Sequence, residues 1–192
     1  MKDAMRNNNE MLIKAINVAQ EELEAIKEYH DDMVIEKSDA ILSQVIQYLK
    51  ERLAGESLSN QFKCSATTSS YIFLKANPSQ LATPDGDFIQ GIRYTFTICV
   101  ATHGDGMRNL RIDFFYDMNA KKWRDITSDS EILRMLTKYG LEIAESIIKS
   151  WDSFKSRLES SIKEDYERRI KEIKEKADWY AANLNKLDSF QI

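Results

Sequence analysis

The chain is poor in residues that break helices and in residues that do chemistry. Only two of its 192 residues are proline and six are glycine. Long stretches therefore contain nothing that stops a helix. With 43% apolar and 30% charged residues, the composition excludes a disordered or collagen-like chain. The only cysteines, Cys64 and Cys99, lie far apart and fall in expected strands. They exclude a multi-bridge scaffold and a Cys-x-x-Cys site, and both are expected to be reduced thiols. Histidine is equally scarce: His30 stands among acidic residues, and His103 precedes a glycine-rich turn beside Asp105. His30 and its neighbour Asp31 do not share a helical face, so their closeness in sequence makes no ligand set. There is no glycine-rich phosphate loop leading from strand to helix and no nucleophile elbow.

No apolar run approaches the length of a bilayer, and Met1 to Glu10 is polar, unlike a signal peptide. The expectation is a cytoplasmic protein with no membrane partner. Net charge is -4, unevenly spread. Residues 1–59 carry seven basic and twelve acidic groups, whereas residues 60–128 carry eight and six. This is not the footprint of a general nucleic-acid binder.

What the chain has in abundance is helical periodicity. From Ala144 to Leu187 an apolar residue returns every three or four positions. From Tyr166 through Ile170, Ile173, Ala177, Tyr180, Leu184 and Leu187 the steps alternate strictly, four then three, which is a heptad pattern. A matching stripe runs through Leu12, Ile16, Ala19, Leu23 and Ile26, and resumes at Ile41, Val45, Leu49 and Leu53. The spacing predicts a long helix over 10–54, capped near Asn7–Asn9, with Ser38 as an alternative start for a second helix. Gly55 is its stop signal.

Between the stripes the period changes to two. Ile92, Tyr94, Phe96, Ile98 and Val100 point one way; Arg93, Thr95, Thr97 and Cys99 point the other. Leu110, Ile112, Phe114 and Tyr116 repeat the pattern opposite Arg111, Asp113, Phe115 and Asp117. Shorter strands are expected at 62–66, 71–75 and 122–126, and Ala76 to Asp87, with Asn77-Pro78 and Pro84-Asp85-Gly86, reads as loop. Ser128 and Glu131 form a capping box for a helical region over 129–190, where Gly140 marks a division or a bend. Leu133, Leu136, Ile143 and Ile147 are available to cover the sheet.

The reading is one α+β domain over 1–192. A small antiparallel sheet of three to five strands lies between long N- and C-terminal helices, which return as an antiparallel coiled-coil-like stalk. The function expected is protein–protein interaction or assembly without catalysis, through Leu23, Ile26, Tyr166, Ile170, Ile173, Tyr180 and Leu184. The partner is another protein or a second copy, as in a homodimer, and no cofactor is implied. One alternative is a metal-dependent phosphodiesterase or nuclease using Asp113 and Asp117, although carboxylates four residues apart on a strand lie about 13 Å apart. The other is a nucleotide or nucleic-acid binder using Arg93, Thr95, Thr97, Arg111 and Phe115, which combine cations, hydroxyls and an aromatic ring.

Overall fold

Helices fill both ends of the chain because nothing in them breaks a helix, and the period-two segment between them forms a sheet. The computed structural model describes residues 2–56, 58, 62–65, 70–102 and 106–188. Helix α1 spans Lys2–Leu53, followed by β1 (Phe62–Ser65), β2 (Tyr71–Ala82), β3 (Phe88–Thr102), β4 (Gly106–Asp117), β5 (Lys122–Asp125) and helix α2 (Asp129–Asp188). The five strands pair in chain order, every pair antiparallel. The fold is α+β, with two long helices packed extensively on each other and on one face of the sheet.

Helix α1 begins ahead of the expected cap at Asn7–Asn9, since asparagine disfavours a helix interior only weakly. It runs unbroken past Ser38, whose buried hydroxyl donates instead to the Gly140 carbonyl, 2.9 Å away in α2. At its end Gly55 takes a φ of +83°, the left-handed geometry that glycine adopts without strain. There the Tyr94 hydroxyl lies 2.7 Å from the Leu53 carbonyl and 2.6 Å from that of Glu56, so it ties the helix end to β3. Burial pushes the Tyr94 phenol above its ordinary range.

Strand β2 corrects the loop expected at 76–87. It continues through Asn77-Pro78 to Ala82, and the true turn is Thr83 to Asp87. Pro78 is tolerated because β1 pairs only with Tyr71–Leu74, so Pro78 lies where β2 is an unpaired edge and needs no N–H. The turn expected at His103–Asp105 lies outside the described residues.

The core lies between the inner sheet face and the helices. Phe154 of α2 is fully buried; it stacks on Trp151 and meets Phe62 and Phe96 edge-on. From α1, Leu42, Val45, Leu49 and Leu53 enter the same cluster. Of the covering residues expected in α2, Leu136, Ile143 and Ile147 are buried, whereas Leu133 is exposed. Ile132, one turn before Leu136, packs against the core instead, and Leu133 falls on the next face round; the helix itself is kinked at Tyr139, with φ -139° and ψ 25°. Gly140 follows the kink, where a built Cβ would sit 3.2 Å from the Ser38 hydroxyl.

Cys64 and Cys99 are both buried and free. Cys64 pairs with Ile72 on the inner face and Cys99 with Tyr71 on the outer face, so the sheet itself separates the two thiols.

The helices pair in one sense only. Ser38 meets Gly140, Tyr48 meets Trp151, Arg52 meets Glu159, and Glu56 meets Arg169. Numbers rise together, so beyond its kink α2 runs parallel to α1. The antiparallel return expected for the stalk is thereby corrected. The sheet segment carries the chain back to its starting level before α2 begins, so both helices traverse the sheet in the same direction.

A polar cluster closes this seam. The Glu159 carboxylate accepts from the Tyr48 hydroxyl at 2.5 Å and from Arg52 at 2.8 Å. The Tyr48 bond and the Arg52 charge hold Glu159 below the usual carboxylate range, while burial and the same carboxylate push Tyr48 up to about 12. A lowered native pKa means the contribution is complete above the unfolded-state pKa, near 4, and is lost as pH falls through the lower native value. Acid titration of the urea midpoint should therefore show a steeper fall below about pH 4 in the native chain than in Glu159→Gln. Tyr48→Phe should cost about 1 kcal/mol at neutral pH, since it removes one half-buried hydrogen bond.

Candidate functional site

Two surfaces hold the residues singled out from the sequence: the outer face of the sheet and the two ends of the helices. On the outer face the register aligns side chains in rows across the strands. Thr97 stands beside Arg111, Thr95 beside Asp113, Arg93 beside Phe115, and Gly91 beside Asp117. Both helices contribute their core residues to the opposite face, so α1 does not cover this one.

The pieces are present, but both carboxylates are already engaged. Asp113 accepts from the Thr95 hydroxyl at 2.5 Å and pairs with Arg111 at 2.9 Å. Asp117, almost fully buried, accepts from the backbone N–H groups of Ala120 and Asn119 and from Arg124 at 3.2 Å. The Ala120 bond, aided by Arg124, lowers its pKa. Asp117 thus caps the Met118–Lys121 turn, where Lys121 takes a φ of 52°. The two carboxylates occupy different rows, and no group of three or more metal-ligating side chains gathers among the described residues. His30 and Asp31 lie 3.4 Å apart on the exposed side of α1.

Phe115 is buried although it faces outward. Its ring leans over Gly91, where a built Cβ would come within 2.4 Å of the ring and 2.1 Å of the Tyr116 carbonyl oxygen. Arg93 and Arg124 flank Phe115 in the same row, each with a buried Nε that has no protein acceptor. With the Phe115 ring buried, the row presents no open aromatic platform.

The helix ends are different. Residues 11–32 of α1 are exposed throughout, as are residues 171–182 of α2. Leu23 and Ile26 are 66% exposed, Ile173 67% and Tyr180 63%. Tyr166 and Leu184 are exposed to a similar degree, and Ile170 is half-buried. Because α1 and α2 run parallel, these arms leave the head at opposite ends and do not meet within the chain. On α2 the charges are held by near neighbours: Arg168 pairs with Asp165 at 2.8 Å, and Lys163–Glu167, Arg168–Glu172 and Lys171–Glu175 pair more loosely. None of the described helices is long and apolar enough to cross a membrane.

Sequence reasoning missed the Tyr48–Arg52–Glu159 cluster and the Ser38–Gly140 contact. Both join positions more than 100 residues apart, and no local periodicity relates them.

Comparison with known protein families, with curated proteins and with solved structures finds no match to this chain.

Proposed function

We propose that the protein is a non-enzymatic assembly or interaction protein that engages helical partners through its two arms. The observation that supports this reading is the pair of exposed apolar stripes at heptad spacing, one on each arm. A helix of some twenty residues is marginal in water on its own propensity. A stripe of Leu, Ile and Tyr adds the cost of apolar surface left in water, about 1.5–3 kcal/mol for each large side chain that a partner would bury. The heptad step provides layers into which a second helix interlocks. On the outer sheet face, by contrast, both carboxylates are already bound by protein donors.

Replacing Ile173 and Tyr180 together by lysine tests the proposal. The expected result is loss of assembled mass in native mass spectrometry. It is accompanied by a drop of up to roughly one fifth in the helical circular dichroism signal, because residues 166–188 form about that share of the two helices. Unchanged mass together with unchanged helicity would count against it.

A further inference from the structure

The geometry points to a second copy of this chain as the partner, with each N-terminal arm paired antiparallel to the C-terminal arm of the other copy; this rests on the reading of the arms as interaction elements. The parallel course of α1 and α2 within the chain is the starting point. The arms point away from each other, so a two-fold axis perpendicular to the helices lays the N-terminal arm of one copy beside the C-terminal arm of the second, and repeats the pairing at the other end. All four arms are then covered in one closed assembly.

The stripes match in length and step. Leu12 through His30 and Tyr166 through Leu184 each span six heptad positions. Laid antiparallel over their full overlap, Leu12 meets Leu184, Leu23 meets Ile173, Ile26 meets Ile170, and the two alanines, Ala19 and Ala177, share a layer. The charges beside the seam select this arrangement. Glu22 of one copy falls opposite Lys176 of the other, and Lys27 opposite Glu167. Full overlap of two N-terminal arms would instead set Glu22 against Glu22. Full overlap of two C-terminal arms would set Lys174 against Lys174 and Lys176 against Lys176. A parallel pairing of the unlike arms would set Lys27 against Lys176. Each alternative carries a like-charge contact that the antiparallel cross-pairing avoids.

The same register fixes where the axis falls. Within one chain, Ser38 lies level with Gly140 and Arg52 with Glu159. Carrying the arm register inward along both helices places the two-fold near Ile46 of α1 and Ser150 of α2, in the middle of the head. On the outward side of α2 at that level stands Ile148, 62% exposed. That axis runs through the head, with the helical faces of the two heads toward each other.

The test uses the full chain. Native mass spectrometry should give twice the 22.3 kDa chain mass. Chains carrying Ala19→Cys, mixed with chains carrying Ala177→Cys and then oxidised, should form a mixed disulfide dimer that neither variant forms alone. Glu22→Lys should raise the dimer dissociation constant roughly tenfold or more, since the contact occurs twice, and Lys176→Glu in the same chain should restore it. A dimer that yields no mixed disulfide and no charge rescue overturns the cross-paired arrangement, as does an open-ended polymer. A monomer at every concentration overturns the second copy as partner. If Ile173→Lys with Tyr180→Lys also leaves that monomer's mass and helicity unchanged, the reading of the arms falls with it; if helicity drops, only the choice of partner falls.

Discussion

Phe154→Ala is expected to lower the free energy of unfolding by about 3–5 kcal/mol, a large share of what a domain of this size possesses. The ring is the point where β1, β3 and α2 converge, through Phe62, Phe96 and Trp151. It is wholly buried, so its removal loses the transfer term and leaves a cavity that three rigid elements cannot close. Urea denaturation followed by tryptophan fluorescence measures the loss, and the near-ultraviolet dichroism of Trp151 should weaken as its stacking partner goes. Ile148→Ala serves as the control: its side chain is exposed in the monomer, and the change should stay within about 0.5 kcal/mol when assembly is absent.

Gly91→Ala is expected to be at least as damaging, for the opposite reason. The position has too little space rather than too much. A Cβ there would lie 2.1 Å from the Tyr116 carbonyl oxygen and 2.4 Å from the Phe115 ring. The ring could swing aside, but the carbonyl belongs to the β3–β4 ladder and cannot retreat without breaking the register that aligns Arg93 with Phe115. The expected outcome is a loss of more than about 3 kcal/mol, or failure to fold, read from the same denaturation curves. Gly91→Ala combined with Phe115→Leu should recover little, because the backbone contact persists. Full recovery in that double variant would show that the ring alone sets the requirement.

Much of this architecture was legible in the residues themselves. Ile92 to Val100 and Leu110 to Tyr116 alternate cleanly because one sheet face packs on helices while the other meets water. Gly55 and Pro84-Asp85-Gly86 marked a helix end and a turn through backbone geometry that depends on few neighbours. What was not legible depended on tertiary context. Pro78 reads as a loop residue unless β1 is known to stop short of it. Phe115 reads as an exposed platform unless the missing side chain at Gly91 is seen to make room for its ring. The direction in which α2 passes α1 could not be read at all, since a stripe marks which residues are covered and not which way the covering helix points. Asp113 and Asp117 share a polar face in sequence, yet local donors claim each separately: Thr95 and Arg111 for one, a turn and Arg124 for the other.

The parallel seam between α1 and α2 also decides how the molecule answers a pull. Its two arm tips lie at opposite ends, roughly 120 Å apart if both helices stay straight. Tension between them drags α1 one way and α2 the other, so the seam is loaded in shear. The Tyr48–Glu159 and Arg52–Glu159 bonds and the packing around Ser38 and Gly140 then share the load at once. Two antiparallel helices tethered at one end would peel apart layer by layer under the same force. A chain built this way resists extension along its axis, as a tie rod does.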